Sequence, residues 1–345
     1  VPDEAGLDHR QCLLHSEVKT EHCYHRSHIM PFKPHFHPLA FLLCISLLWA
    51  PVTLASYAIY VGKNLTADGS VMIGGSGDEV SSHWLEVVPG AAHPEDATVT
   101  VGVTAEAFMP GEFSEIPQAG ETYRYLTMNY SEYEGFPPPL TNGGLNEHNV
   151  AGRDVWSPSR DELVAMTPSP QTGPQYSDLS RIAMERARTA REAVEIIGSL
   201  IDEYGYSTYG GNSHMFADEQ EGWVLLNFAG GKGLWIAERL GPNDVRMSYP
   251  GYIGDVPLDL KNSDDFMASA NFIDFAIEQG WYNPSSGEAF NVTKVYGVEK
   301  ERYPRSAMEA ELQAAAPIDL RAMMNAVRDP RIAKDSTGYG QVAAL

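Results

Sequence analysis

The chain has 345 residues, with 24 Lys and Arg against 46 Asp and Glu, for a formal net charge of −22. Such an acidic surface repels nucleic acid and anionic membranes, which excludes binders that work by neutralising a phosphate backbone. The three cysteines, Cys12, Cys23 and Cys44, are confined to the first 44 residues, so the rest of the chain forms neither a disulfide nor a Cys-ligated zinc site.

Residues 1–29 carry several histidines and no initiator Met, and read as an upstream extension with no fold of their own. From Met30 the pattern changes to a weakly basic start, the apolar run LAFLLCISLLWAPVTLA, and small residues at Thr53 and Ala55. This is the layout of a signal peptide over residues 30–55, cut after Ala55. The run from Leu39 to Ala55 is 17 residues, with Pro38 just before it and Pro51 near its end, at the short limit for a span, so no stable anchor is expected after cleavage. The expected location is secreted, extracellular or periplasmic. The remaining 56–345 show no repeat or low-complexity linker and are read as one domain of 20 basic and 41 acidic residues. Their four histidines, His83, His93, His148 and His214, are scattered without an HExxH or HxH pair, so neither a metal nor an organic cofactor is expected.

Strands come first along this domain. Residues 57–62 and 71–74 are short apolar runs joined by the turn-forming Asn64-Leu-Thr-Ala-Asp-Gly69, which predicts an N-terminal hairpin. Further strands are expected at 84–88, 97–103 and near 122–128, and 143–156 reads as a turn followed by a strand. Helical spacing predicts helices over 177–187 and 189–203, with Ser177 and Thr189 as N-caps and Gly205 past the second. Strands return at 213–217, 222–228 and 233–239, then helices at 264–279 and 304–327. Sheets bracketed by helical layers give an α+β domain.

Ser56, at the head of the first strand, carries the sharpest chemical reading. A cut after Ala55 gives this residue a free α-amino group beside its hydroxyl. Such an amine has a reference pKa of about 7.7–8.0, so it serves as base for the hydroxyl near neutral pH without a histidine.

The stretch from Ser56-Tyr-Ala-Ile-Tyr-Val-Gly-Lys-Asn to Asp78, with Gly144-Leu-Asn-Glu147, Glu185 to Val194, Ala217-Asp218, Glu221-Gly-Trp223, Trp235 to Arg239 and Asn271 to Trp281, resembles the dipeptidase A family of N-terminal-nucleophile (Ntn) hydrolases. That family is related to the secernins and more distantly to penicillin V acylase and bile salt hydrolase. The resemblance implies a four-layer αββα Ntn-hydrolase sandwich whose N-terminal residue attacks an amide carbonyl. Most members use cysteine there, so Ser56 is a departure. Asp78 matches the aspartate that holds the α-amino group, and Gly75 stands where many relatives carry an arginine. Asn146 matches an oxyanion donor, and Arg305 a late arginine near the nucleophile, with Arg302 equally placed. No second asparagine is found around Ser248-Tyr-Pro-Gly-Tyr252. The glycines of Gly74-Gly-Ser-Gly77 are read as letting substrate backbone approach closely. Five tryptophans, Trp84, Trp156, Trp223, Trp235 and Trp281, are read as core, His83 as a residue of the cleft, and His214 as a satisfied strand residue. Relatives continue well beyond the stretch matching Asp335 to Val342, so the sandwich is expected to be incomplete at its C-terminal end, with exposed apolar surface.

The implied function is a secreted dipeptidase acting through an acyl-enzyme on a dipeptide or small amide, with a homo-oligomer left open. The alternatives are an acylase for a non-peptide acyl amide, or an inactive homologue that acts as a binding protein.

Overall fold

The computed structural model describes residues 56–77, 81–131, 133, 135–248, 253–298, 304–333 and 337–345. The expected signal peptide and upstream extension, Asp78 and Arg302 lie outside the described residues.

The first half is mostly strand: β1 (Tyr57–Val61), β2 (Met72–Gly77), β3 (His83–Val88), β4 (Ala91–Ala92), β5 (Thr98–Val101), β6 (Ser114–Pro117), β7 (Glu121–Thr122), β8 (Tyr125–Tyr130), β9 (Leu140–Thr141), β10 (Gly143–Asn146) and β11 (Ala151–Trp156). Helices α1 (Asp161–Met166), α2 (Tyr176–Arg186) and α3 (Ala190–Tyr204) follow, then β12 (Asn212–Ala217), β13 (Gly222–Asn227), β14 (Trp235–Leu240), β15 (Val245–Met247), β16 (Asp255–Val256) and β17 (Phe266–Ala268). The chain continues through α4 (Phe272–Glu278), β18 (Phe290–Asn291), α5 (Val292–Tyr296), α6 (Arg305–Ala314) and α7 (Leu320–Val327) to β19 (Tyr339–Ala344).

Two sheets carry the architecture. One has the order β15-β1-β2-β19, and the other runs β17-β14-β13-β12-β11-β10-β8-β3 with β9 added beside β8. Alternation within the strands assigns their faces: Met215, Val224, Leu226 and Ile236 share a core with β1 and β2, while Phe216, Trp223, Leu225 and Ala237 pack with α2 and α3. Helices α6 and α7 cover the outer side of the smaller sheet, against β15, β2 and β19. Four layers result, in the αββα order the sequence implied. β1, central in its sheet, is buried at every position. Along the β19 side the sheets part, leaving about 500 Å³ walled by Ile73, Leu126, Leu145 and Val342. Leu85 and Val87 of β3 are 64% and 62% exposed.

Local chemistry explains most boundaries. In α3, Ala190, Ala193, Val194, Ile197, Gly198 and Ile201 recur at helical spacing and are all buried. Fully burying a side chain such as Ile197 is worth about 2 kcal/mol. Gly198 is required where the Trp235 ring crosses, since a Cβ there would come within 2.4 Å of it. Thr189 caps α3 by accepting from the Glu192 amide at 3.1 Å, as expected, and Gly205 closes it at φ 84°. Ser177 does not cap α2. Gln175 does, in a reciprocal box with Asp178.

Two expected helices are shorter than their patterns. Phe266 pairs with Glu238 at the sheet edge, so the first part of 264–279 is strand, and 304–327 divides at Pro317, after which Asp319 caps α7 through the Ala322 amide at 2.7 Å. The Gly74–Gly77 run is packed strand. A Cβ at Gly75 would lie 2.2 Å from the Tyr57 carbonyl and 3.2 Å from Cγ of Arg153, so this glycine makes room for the protein's own chain and not for substrate.

Candidate active site

Ser56 stands half-buried immediately before β1. That strand is pinned on both sides, with Tyr57 opposite Ser76 of β2 and Ile59 opposite Met247 of β15, and the Ser248 amide donates to the Ala58 carbonyl at 2.9 Å. Ser56 reaches a recess of about 20 Å³ that it shares with Asn142, Asp154, Trp156 and four tyrosines, Tyr130, Tyr133, Tyr176 and Tyr209. That volume suits one water-sized group. Trp156, read from sequence as core, therefore belongs to the site wall, and Trp84 is 39% exposed, whereas Trp223 and Trp235 are buried as expected.

Asn142 is presented by a break between β9 and β10. Gly143 follows it at φ 118°, and a Cβ there would strike the Gly152 carbonyl at 2.3 Å, so only glycine lets the chain turn here. The break is fastened from below: Thr127 donates to the Gly143 carbonyl at 2.7 Å, and the Thr141 amide donates to the Ser177 hydroxyl at 2.7 Å. Ser177, expected to cap its helix, instead holds the turn that carries Asn142.

Asp154 enters from β11 and is almost wholly buried. Its backbone amide donates to the Asn142 carbonyl at 2.8 Å, and Asn212 Nδ2 donates to its carboxylate at 3.4 Å. Asn212 in turn accepts from the Tyr209 hydroxyl at 2.8 Å and lies 3.3 Å from His214 Nε2. Burial pushes His214 down to about 3, so near neutral pH the ring is uncharged. Its Nδ1 is 3.3 Å from the Ser180 hydroxyl. His214 is the satisfied strand residue expected from sequence. Desolvation first, then Tyr133 and Asp154, raise the Tyr209 phenol well above its ordinary value, which keeps its proton in place.

On the opposite face of β11, Arg153 points between the sheets. It is 1% exposed, donates to the Ser76 carbonyl at 2.5 Å and to the Tyr339 hydroxyl, and lies over the Tyr339 ring at 5.2 Å. Burial raises the Tyr57 phenol while Arg153 opposes that rise. Cγ of Arg153 lies 3.2 Å from where a Cβ at Gly75 would stand, so the side chain passes through the space Gly75 leaves open. The His83 ring lies tilted at 5.1 Å from the Tyr339 ring and 5.9 Å from that of Tyr130.

The structure does not bring Asn146 into this group. Its amide nitrogen donates to the Met184 and Ala187 carbonyls at 3.1 and 2.7 Å, and its oxygen accepts from the His148 and Val150 amides, each at 3.0 Å. Both donor protons are committed to closing α2, so this side chain has none to offer an oxyanion. Asn142, four residues earlier, holds the place beside Ser56. The signal available in the sequence was Asn142-Gly-Gly, an amide before a glycine pair. Arg305 begins α6 and faces Glu309 at 3.8 Å; Glu309 accepts from the Met247 amide at 2.7 Å, which ties this helix to β15 beside β1. Arg153 and Asp154 were missed because nothing in the run Gly152-Arg-Asp-Val distinguishes inward-facing charge from a polar strand face. Among the described residues no three His, Cys, Asp or Glu side chains form a metal-binding group, and no helix is long and apolar enough to cross a membrane.

Similarity to known proteins follows the same stretch of chain. A probable dipeptidase A of Streptococcus pyogenes serotype M3 (strain SSI-1) is 25% identical over 256 residues, covering 72% of this chain and 51% of the relative. A probable dipeptidase of Latilactobacillus sakei is 27% identical over 250 residues, covering 72% and 50%. The chain spans about half the length of these curated relatives. Among solved structures, a mutant conjugated bile acid hydrolase from Clostridium perfringens aligns over 81% of this chain and 75% of its own, at 9% identity and a TM-score of 0.35. The model of peptidase family C69 matches residues 55–307, from the residue before Ser56 to the start of α6, and the chain belongs to that family.

Proposed function

We propose that this protein is a secreted dipeptidase whose nucleophile is Ser56, exposed as the N-terminal residue by a cut after Ala55. The observation that carries the reading is the placement of Ser56 at the head of a buried strand, on a water-sized recess shared with Asn142 and Asp154. Membership of a peptidase family over residues 55–307 supports it, as do the dipeptidase relatives.

In this reaction the Ser56 hydroxyl attacks the substrate carbonyl while the α-amino group of the same residue takes its proton. The tetrahedral oxyanion is held by the Asn142 amide and neighbouring backbone N–H groups. Collapse breaks the C–N bond, and the leaving amine takes the proton back from the α-ammonium. Water then opens the ester by the reverse sequence. A hydroxyl ionises less readily than the thiol common in the family, so the reaction leans more on the amine as base. Arg153 supplies positive charge from the facing sheet.

Intact-mass measurement of the secreted protein together with turnover of a dipeptide panel tests the reading. The active chain is expected to begin at Ser56, Ser56→Ala to abolish turnover, and Ser56→Cys to retain or raise it. An active chain beginning at any other residue overturns the mechanism, because an internal serine has no free amine to act as base.

A further inference from the structure

Two groups that the reaction needs side by side ride on different sheets. Ser56 heads β1 of the smaller sheet, whereas Asn142 stands between β9 and β10 of the larger one, tied to β11 where the Asp154 amide donates to its carbonyl at 2.8 Å. Nucleophile and oxyanion donor therefore keep their separation only as well as one sheet keeps its place on the other. Much of the contact between the sheets is apolar, from residues such as Ile59, Met72, Met215 and Leu226. Apolar contact is non-directional, so it opposes separation far more than a small slide.

Arg153 is a directional tie at this end of the sandwich. It leaves β11 one residue before Asp154, crosses the gap at 1% exposure, and divides its fork: one nitrogen donates to the Ser76 carbonyl of β2 at 2.5 Å and the other to the Tyr339 hydroxyl of β19. Ser76 stands opposite Tyr57, the residue after Ser56. One buried side chain thus runs from the residue beside the support of Asn142 to the strand that pairs with the nucleophile's own. A guanidinium suits the task, because its rigid planar donors fix the angle as well as the distance of both partners. We infer that Arg153 is a positioning residue, a clamp that sets the place of the smaller sheet on the larger and so holds Ser56 beside Asn142. This inference rests on the proposed reaction at Ser56 and concerns how its parts are aligned. A misplacement of about 1 Å costs on the order of 10²-fold in rate. The loss falls on kcat, because the oxyanion contact it spoils is made in the transition state and not in the bound substrate.

The test is dipeptide kinetics on the chain beginning at Ser56, with Tyr60→Phe as the control. The Tyr60 hydroxyl donates to the Leu240 and Gly241 carbonyls at 3.2 and 3.0 Å, a tie between the same sheets four residues further along β1. Arg153→Met is expected to lower kcat roughly 10²-fold with KM within about 3-fold of the parent, and Arg153→Lys, which keeps the charge but not the fork, to recover only part of the loss. Tyr339→Phe is expected to lower kcat about 5-fold, the worth of one hydrogen bond, and to have no effect once Arg153 is replaced. Tyr60→Phe is expected to lower the melting temperature and leave kcat unchanged. Full rescue by Arg153→Lys overturns the clamp in favour of charge alone, and a kcat loss in Tyr60→Phe equal to that in Arg153→Met overturns it in favour of general loosening. If Arg153→Met does not fold, Tyr339→Phe decides, and an unchanged kcat there overturns the inference. A second measurement needs no turnover: spin labels on cysteines introduced at Ser199 of α3 and Asn325 of α7, both exposed and on opposite outer layers, are expected to give a broader distance distribution in Arg153→Met or Tyr339→Phe. An unchanged distribution overturns the clamp. A broadened one in a chain that hydrolyses no dipeptide keeps the clamp and sinks the proposed reaction.

Discussion

Replacing Asn146 by alanine separates two roles for one residue. Its side chain makes four hydrogen bonds, two donated to the Met184 and Ala187 carbonyls and two accepted from the His148 and Val150 amides, in a site that is 3% exposed. At a net value of about 1 kcal/mol each, their loss costs roughly 4 kcal/mol, because alanine leaves buried backbone groups without partners. A domain of about 290 residues unfolds with an entropy near 0.6 kcal/mol/K, so the melting temperature is expected to fall by about 6 to 7 °C. An oxyanion donor behaves in the opposite way: its removal lowers kcat by roughly 10²–10³ and leaves the fold untouched. Scanning calorimetry of Asn146→Ala, with kcat measured well below the transition, distinguishes the two. A melting temperature within 1 or 2 °C of the parent, with kcat reduced by the full oxyanion amount, would refute the structural role (~0.6–1.2 kcal/mol at that entropy).

Two further expectations concern stability. Gly75→Ala forces a Cβ to within 2.2 Å of the Tyr57 carbonyl and against Arg153, and is expected to cost about 3 kcal/mol or more in denaturant unfolding; Gly254→Ala, whose Cβ meets nothing within 4 Å, is the control, and equal effects would contradict the account. His214 is held neutral with its pKa lowered to about 3. Above about pH 6.5 both folded and unfolded states carry it neutral and it adds no pH dependence, but between there and about pH 3 only the unfolded state binds the proton, so stability falls as pH falls, by ~1.4 kcal/mol per pH unit for this group. His214→Gln is expected to shallow the acid limb by about one proton in unfolding free energies measured from pH 7.5 to 4.5, and an unchanged slope would count against buried neutral histidine.

Much of the layer order was legible because each layer announces itself locally. The period of 3.6 over 190–204 and the capping Thr189 mark α3, and short apolar runs bounded by turn residues, such as Trp223–Leu226, mark the strands β12, β13 and β14. The boundaries that moved did so where a neighbour outbid local preference, as when pairing with Glu238 drew Phe266 into a strand. Short elements such as α1 and β15 have too few residues to show a period at all.

By itself the sequence determined the run of strands, then helices, then strands, and the α+β class that follows from it, since these depend on residue type and order along the chain. Only the tertiary structure decided the company Ser56 keeps. Asn142, Arg153 and Asp154 are 86, 97 and 98 positions away from it in sequence, and what brings two of them to its recess and the third to the strand beside it is the packing of one sheet on another. Asn146 shows the converse. Its residue type fits an oxyanion donor, yet the carbonyls at the end of α2 claim both of its donor protons, because a buried backbone oxygen left without a partner is costlier than an asparagine spent on structure.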